Sequence, residues 1–412
     1  MPEPSQDRFR RISCLQGVRV LELARVLAGP LCGQLLADLG AEVIKIERPG
    51  LGDETRTWGP PFADSLSAYF LSCNRNKRSL ALDLSQPQGL AVLDQLVQRA
   101  DVVVTNFLPA TAERLGISAA RLHRINPRLI VCSLTGFGWD TSWRDKPGYD
   151  FAIQALAGMM SITGPVEGPP SKVGVAIADV VAALYAAVTV LACIHARLHS
   201  GLGYAIDLSL LDATVAAQVN VVQAYLVTGQ VPPRQGNAHL QIVPYQLFAT
   251  RDGYLVLAIG NDGQWQRFCR VCGQEAWAHD PRFATNPQRV RHRQDLVTLL
   301  EPLLRSRTTA QWQELLDAAE VPCAPVLDYQ QLFALPVVQE RAIRMTVTDA
   351  GGQPVDLVAP PFRIRASDGQ GVEADPHRCP PALGADTLAI LRQVLGYSDE
   401  QLAELARAGV IA

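Results

Sequence analysis

Between residues 18 and 134 the chain alternates short runs of β-branched and aliphatic residues with stretches whose apolar positions recur every three or four residues. The short runs at 18–23, 42–47, 101–105 and 129–134 predict buried strands, and the periodic stretches at 30–39, 88–99 and 119–125 predict helices. Gly29-Pro30 opens the first of these helices and Gly40 stops it. Such alternation predicts an α/β domain with a parallel, doubly wound sheet. Folds of that kind bind ligands at the carboxyl ends of their strands, which directs attention to the loops after Leu23, Glu47, Thr105 and Leu134.

The most apolar stretch runs from 180 to 196. It carries no formal charge but includes Tyr185, Thr189 and His195, which predicts a buried core helix rather than a membrane span. That helix ends near 201–203, and a strand at 204–210 and a helix at 211–227 follow. The texture then changes. Residues 246–250 and 254–259 flank an Asp252-Gly253 turn and predict a hairpin. Helical periodicity at 264–272, 295–304 and 310–319 completes a smaller α+β region. A second hairpin at 345–349 and 355–358 and two helical segments after Gly384 make up the tail.

A length of 412 residues exceeds one compact core and implies two domains. With 48% hydrophobic and 19% charged residues the chain is a well-buried globular protein. A net charge of -3 gives no electrostatic ground for a nucleic-acid partner, and nothing predicts a membrane. Nine cysteines without framework spacing fit reduced thiols in a cytoplasmic protein. Cys269 and Cys272 form a lone CxxC with no second pair, so they read as buried small hydrophobes and no metal is expected. The first thirteen residues are polar, and no secretory signal is expected there.

Gly136 and Gly138 follow a strand without the third glycine of a dinucleotide fingerprint, and no P-loop occurs, so no redox nucleotide is expected. Asp179 stands apart. It is the only charged residue between Lys172 and Arg197, at the junction of a small-residue run and the long apolar helix. Two readings are open: a helix N-cap, or a carboxylate nucleophile steadied by the helix terminus.

Several ordered motifs then bear on the choice. They are Leu27-Ala28-Gly29-Pro30, residues 39–50, Asn74-Arg75-Asn76-Lys77-Arg78-Ser79 with Asp83, residues 100–107, Pro147-Gly148-Tyr149-Asp150, and residues 174–179. Later come Gly236-Asn237-Ala238-His239, Pro244-Tyr245 and Val321-Pro322-Cys323-Ala324-Pro325. In this order they resemble the class III CoA transferase family.

The resemblance implies that Asp179 is the nucleophile, forming first an acyl anhydride and then an aspartyl-CoA thioester. It implies a coenzyme A wall of Arg48, Leu82, Asp83, Leu84, Ser85, Asn106, Phe107, Leu108, Arg114, Lys146, Pro147, Gly148 and Tyr149. Arg25 and residues 55–61 resemble the branch that uses succinyl-CoA with dicarboxylates such as glutarate. Arg25, Leu27, Ala28 and His239 are then candidate substrate contacts, with Arg25 pairing the distal carboxylate. Acyl-CoA and carboxylic acids are the implied small-molecule partners. The family also implies a Rossmann-like large domain from 1–225 and 336–412, a small domain at 226–335, and a homodimer of interlocked rings.

Racemases of the same fold are the alternative. Those relatives carry histidine where this chain has Tyr149, and a phenol of pKa about 10 replaces poorly an imidazole of about 6.5. His239 could stand in for the missing base. A non-catalytic CoA-binding protein is the remaining reading. Asp386 stands where relatives often carry histidine, so residues 381–387 receive no role.

Overall fold

A computed structural model describes residues 10–63, 66–368 and 373–412. The chain divides into two compact units, one of Met1–Ala157, Gly174–Gln218 and Pro336–Ala412, the other of Gly158–Val173 and Val219–Leu335.

The first unit is built on a six-stranded sheet. Its strands are β1 (Arg19–Leu23), β2 (Glu42–Glu47), β3 (Lys77–Ala81), β4 (Val102–Thr105), β5 (Ile130–Thr135) and β6 (Tyr204–Ser209). They run in the order β3-β2-β1-β4-β5-β6, and every pairing is parallel. The fold is therefore α/β with a parallel central sheet. Chain order reverses between β1 and β4, so the loops leaving these two strands diverge and open a crevice.

Strand β3 does not follow from periodicity, because it begins Lys77-Arg78. Lys77 is nevertheless buried, with its ammonium 2.8 Å from the Glu22 carboxylate of β1, 2.7 Å from the Pro30 carbonyl and 2.8 Å from Asn74 Oδ1. Ion pairing admits a charge to a position that hydropathy reads as solvent.

Helices cover both faces. On one lie α1 (Ala28–Asp38) and, further along the chain, α4 (Ile177–Ser200). The other face takes α2 (Pro87–Gln98) and the C-terminal residues Ile390, Leu391, Leu402, Val410 and Ile411. Helices α3 (Asp150–Leu156) and α5 (Leu210–Ala217) pack against α4 and against each other. Helix α4 buries a small-residue stripe, Ala178, Ala182, Ala183, Ala186 and Ala187, in the cluster that holds Cys32 and Leu36 of α1. Short side chains allow close approach of the two helices, and truncating Leu36 there to alanine would cost about 2–5 kcal/mol. Gly201, at φ +70°, ends α4 with a left-handed cap, a conformation glycine takes without steric cost. The opposite face of α4 exposes Leu184 and Val188.

The single helix expected over 211–227 is interrupted. Val219, at φ +36°, breaks it after Gln218, where the chain passes from the first unit to the second. The second unit holds an antiparallel three-stranded sheet, Tyr245–Ala249, Tyr254–Ala258 and Cys323–Pro325. Helices Asp262–Val271, Arg293–Leu304 and Thr309–Ala318 pack on it around Trp265, Phe268 and Trp312. Cys269 is buried in this core, and burial pushes the Cys269 and Cys272 thiols up to about 12.

Candidate functional site

The crevice at the strand-order reversal is a cavity of about 560 Å³. Its walls come from the turn after β1 and the start of α1 (Arg25, Val26, Leu27 and Ala28), the loop after β4 (Asn106, Phe107 and Leu108) and the end of β5 with the residue beyond it (Leu134, Thr135 and Gly136), joined by Arg114, Pro147, Gly148, Tyr149 and Asp179. Asn106 ties the first two loops together. Its Oδ1 accepts the Arg25 N–H at 3.0 Å and its Nδ2 donates to the Arg25 carbonyl at 2.7 Å. Gly148 packs directly on Gly136, and a Cβ on Gly148 would fall 2.5 Å from the Gly136 Cα. Both positions need glycine so that two backbones can meet and carry Tyr149 to the rim. That contact explains Gly136, which spacing alone left without a role.

Asp179 is the third residue of α4, so it is not the N-cap that spacing favours; that position belongs to Ala176. The Asp150 carboxylate binds the helix end instead. Its Oδ1 accepts the Ala178 N–H at 2.8 Å and its Oδ2 accepts Gln154 Nε2 at 2.8 Å. Among the described residues Asp179 has no hydrogen-bond or ion-pair partner. Burial first, and the neighbouring Asp150 carboxylate second, push its carboxyl up from 3.8 to about 7. Tyr69, which the motifs passed over, sits close enough to feel this charge. Burial and then Asp179 push its phenol up to about 12.

A second cavity of about 570 Å³ adjoins the first and shares Arg25, Glu54, Phe107 and Leu115 with it. It opens on the loops after β2 and β3 and is lined by Arg48, Leu82, Asp83, Leu84 and Ser85. Arg48 and Arg114 are exposed and have no ion-pair partner among the described residues. Leu82 is buried, and its N–H donates to the Glu47 carbonyl at 2.8 Å, while the Asp83 N–H donates to Val410 at 2.8 Å. The Ser85 N–H donates to Asp83 Oδ1 at 2.9 Å. Of these four backbone donors, only that of Leu84 is uncommitted among the described residues.

Arg25, Lys146 and His239 each have contacts of their own. The Arg25 guanidinium is 3.2 Å from the Glu54 carboxylate and lies over Phe107, 5.0 Å from the ring centre, so it already has a counter-ion. Lys146 places its ammonium over Trp143 at 4.0 Å instead of on the cavity wall. His239 belongs to the second unit, where its Nδ1 accepts the Gln241 N–H at 3.0 Å and its ring meets Tyr245. No cluster of three or more histidine, cysteine or acidic side chains suited to a metal occurs among the described residues.

Comparison with known proteins places this geometry in context. Residues 15–387 match the family model described as CoA-transferase family III. Succinate–glutarate CoA-transferase of Agrobacterium fabrum is 43% identical over 367 residues, which cover 86% of this chain and 90% of that protein. Human succinyl-CoA:glutarate CoA-transferase is 37% identical over 406 residues, 98% of this chain and 92% of that protein. A crystal structure of a CAIB/BAIF family protein from Brucella suis superposes with a TM-score of 0.80 at 39% identity, covering 93% of this chain and 100% of that one.

Proposed function

The chain belongs to CoA-transferase family III, an enzyme family of the transferase class, and from that premise we propose that it moves coenzyme A from succinyl-CoA to a dicarboxylic acid such as glutarate through covalent intermediates on Asp179. One observation carries the proposal. The Asp179 carboxylate, without a partner among the described residues, faces a cavity at the strand-order reversal, and its pKa of about 7 leaves an ionised fraction at neutral pH.

The chemistry balances without an outside energy source. An Asp179 oxygen attacks the thioester carbonyl carbon, the C–S bond breaks, and a mixed anhydride and CoA thiolate result. The thiolate attacks the Asp179 carbonyl of the anhydride, the donor acid leaves as a carboxylate, and an aspartyl-CoA thioester remains. The acceptor carboxylate attacks that thioester and expels the thiolate. The thiolate then takes the acceptor acyl group and returns Asp179 to its free form. Each step exchanges one activated acyl bond for another. A lone carboxylate suits both halves, since an ion pair would hold charge that has to move to the substrate.

The shared wall of the two cavities supports a ligand that spans them. The nucleotide end of coenzyme A would use Arg48 and the 82–85 loop, with Leu82 contributing backbone only, and its thioester would reach Asp179 past Phe107. Arg114 would supply charge to a phosphate. A distal carboxylate on the acceptor would compete with Glu54 for Arg25. The active form we propose is a cytoplasmic homodimer, in which a second copy covers the exposed Leu184 and Val188 of α4. Racemisation would need two free acid/base groups, and the carboxylate nearest Asp179 is occupied by Ala178 and Gln154.

The test is a panel of acids offered with succinyl-CoA, the CoA products read by mass. Glutaryl-CoA and succinate in equal amounts are expected. Deuterium uptake at the α-carbon of a 2-methylacyl-CoA in heavy water, without CoA exchange, would replace this reading with racemisation.

A further inference from the structure

Val26, in the turn between β1 and α1, has φ +71°. Left-handed backbone is costly for a residue branched at Cβ and persists only where its surroundings impose it. Those surroundings are a buried ionic network. The Val26 N–H donates to both carboxylate oxygens of Asp53 at 3.3 Å. Asp53 is 1% exposed and pairs with Lys45 at 2.9 Å. The Lys45 ammonium also donates to the Ala24 carbonyl at 2.9 Å and to Glu22 Oε1 at 2.9 Å. One network thus grips the turn at both ends, the carbonyl of Ala24 and the N–H of Val26. The next two residues, Leu27 and Ala28, line the cavity that holds Asp179.

We propose that Asp53, backed by Lys45, is a positioning residue that holds Val26 in the left-handed conformation and so fixes Leu27 and the first turn of α1 opposite Asp179. The inference rests on the CoA-transfer reading of that cavity. Glu22 is shared between Lys45 and Lys77, so Asp53 also balances the second buried ammonium. Its two oxygens together accept the Val26 N–H, which ties that charge to the turn. Released from Asp53, Val26 relaxes toward negative φ, the peptide rotates, and Leu27 and Ala28 leave the cavity wall. Asn106 holds the same turn from the other side through Arg25, so the displacement concentrates at Val26–Ala28.

The experiment compares the wild type, Asp53→Asn and Asp53→Asn/Val26→Gly, by steady-state transfer from succinyl-CoA to glutarate and by thermal melting. Asp53→Asn is expected to lower kcat about 100-fold, as a misplacement near 1 Å does, with KM for succinyl-CoA moved less than about 3-fold. Glycine takes positive φ unaided, so the double variant is expected to regain about tenfold in kcat while its melting temperature stays depressed by the missing ion pair. A purely structural Asp53 would give no such split. A double variant no faster than Asp53→Asn, or Asp53→Asn at full kcat, would overturn the proposal. Should Asp53→Asn not fold, Val26→Pro decides, because proline locks φ near −65° and removes the N–H: a folded Val26→Pro enzyme with wild-type kcat overturns it, and one slowed about 100-fold upholds it. A wild type that transfers no CoA would instead sink the functional reading beneath.

Discussion

Asp179 and Asp53 are the same side chain in two opposite settings within one unit. Asp53 is wholly buried, and burial alone would raise its pKa. Lys45 and the Thr55 backbone and hydroxyl groups outweigh that and hold it below the usual carboxylate range. Asp179 is only partly buried, yet it has no cation to offset desolvation and faces Asp150, so its carboxyl rises to about 7. Pairing, rather than depth, decides which carboxylate is inert scaffold and which is free to react. The paired network positions the turn after β1, and the unpaired group stands in the cavity that this turn lines.

Removing the unpaired group is expected to have the largest effect. Asp179→Asn and Asp179→Ala are expected to lower CoA transfer by about 10⁴-fold or more while the far-UV spectrum is unchanged, measured by single-turnover product formation. The next effect is on pH. With Asp179 as the attacking anion, log kcat/KM is expected to fall by about one per pH unit below about pH 7, where its carboxyl titrates. A profile flat to pH 5 would contradict this. Arg114→Ala, which removes a charge from the cavity wall, is expected to raise KM for succinyl-CoA about tenfold with kcat little changed.

Smaller again is the effect of Glu54→Gln. It frees Arg25 from its counter-ion, and acceptor competition assays are expected to show dicarboxylates gaining about threefold over monocarboxylates, since exposed pairs are worth little. Stability gives the smallest signal, and its sign is fixed. The folded-state pKa of Asp179 lies above its unfolded value of 3.8, so the folded protein binds more protons between about 4 and 7 and loses stability as pH rises through that window. Asp179→Asn is therefore expected to melt about 2–4 °C higher than wild type at pH 8 and at the same temperature at pH 4.

Much of this arrangement could be read along the chain. Strands β1, β2, β4 and β5 announce themselves by β-branched runs, and the loops after them do line the two cavities. Asp179 was visible as a lone charge in an apolar stretch. Strand β3 was not visible, because Lys77 and Arg78 look solvent-bound until Glu22 is known to lie beneath Lys77. Asp150 as the partner of the α4 terminus, and the Val26 turn with its Asp53 brace, were equally hidden. Each depends on residues 27 or 28 positions apart meeting in space, and no local period encodes such a meeting. Arg25 was singled out by resemblance rather than by any local pattern; the fold sets it on the wall of both cavities and adds a partner, Glu54, that the sequence did not show.

Transfer through Asp179 requires one covalent bond. Enzyme quenched in acid during turnover of succinyl-CoA with glutarate, then digested, can be read peptide by peptide for mass added at Asp179. A CoA thioester on the peptide that carries Asp179, absent from Asp179→Asn, is the predicted result. Full exchange of CoA with every Asp179 peptide unmodified would contradict it.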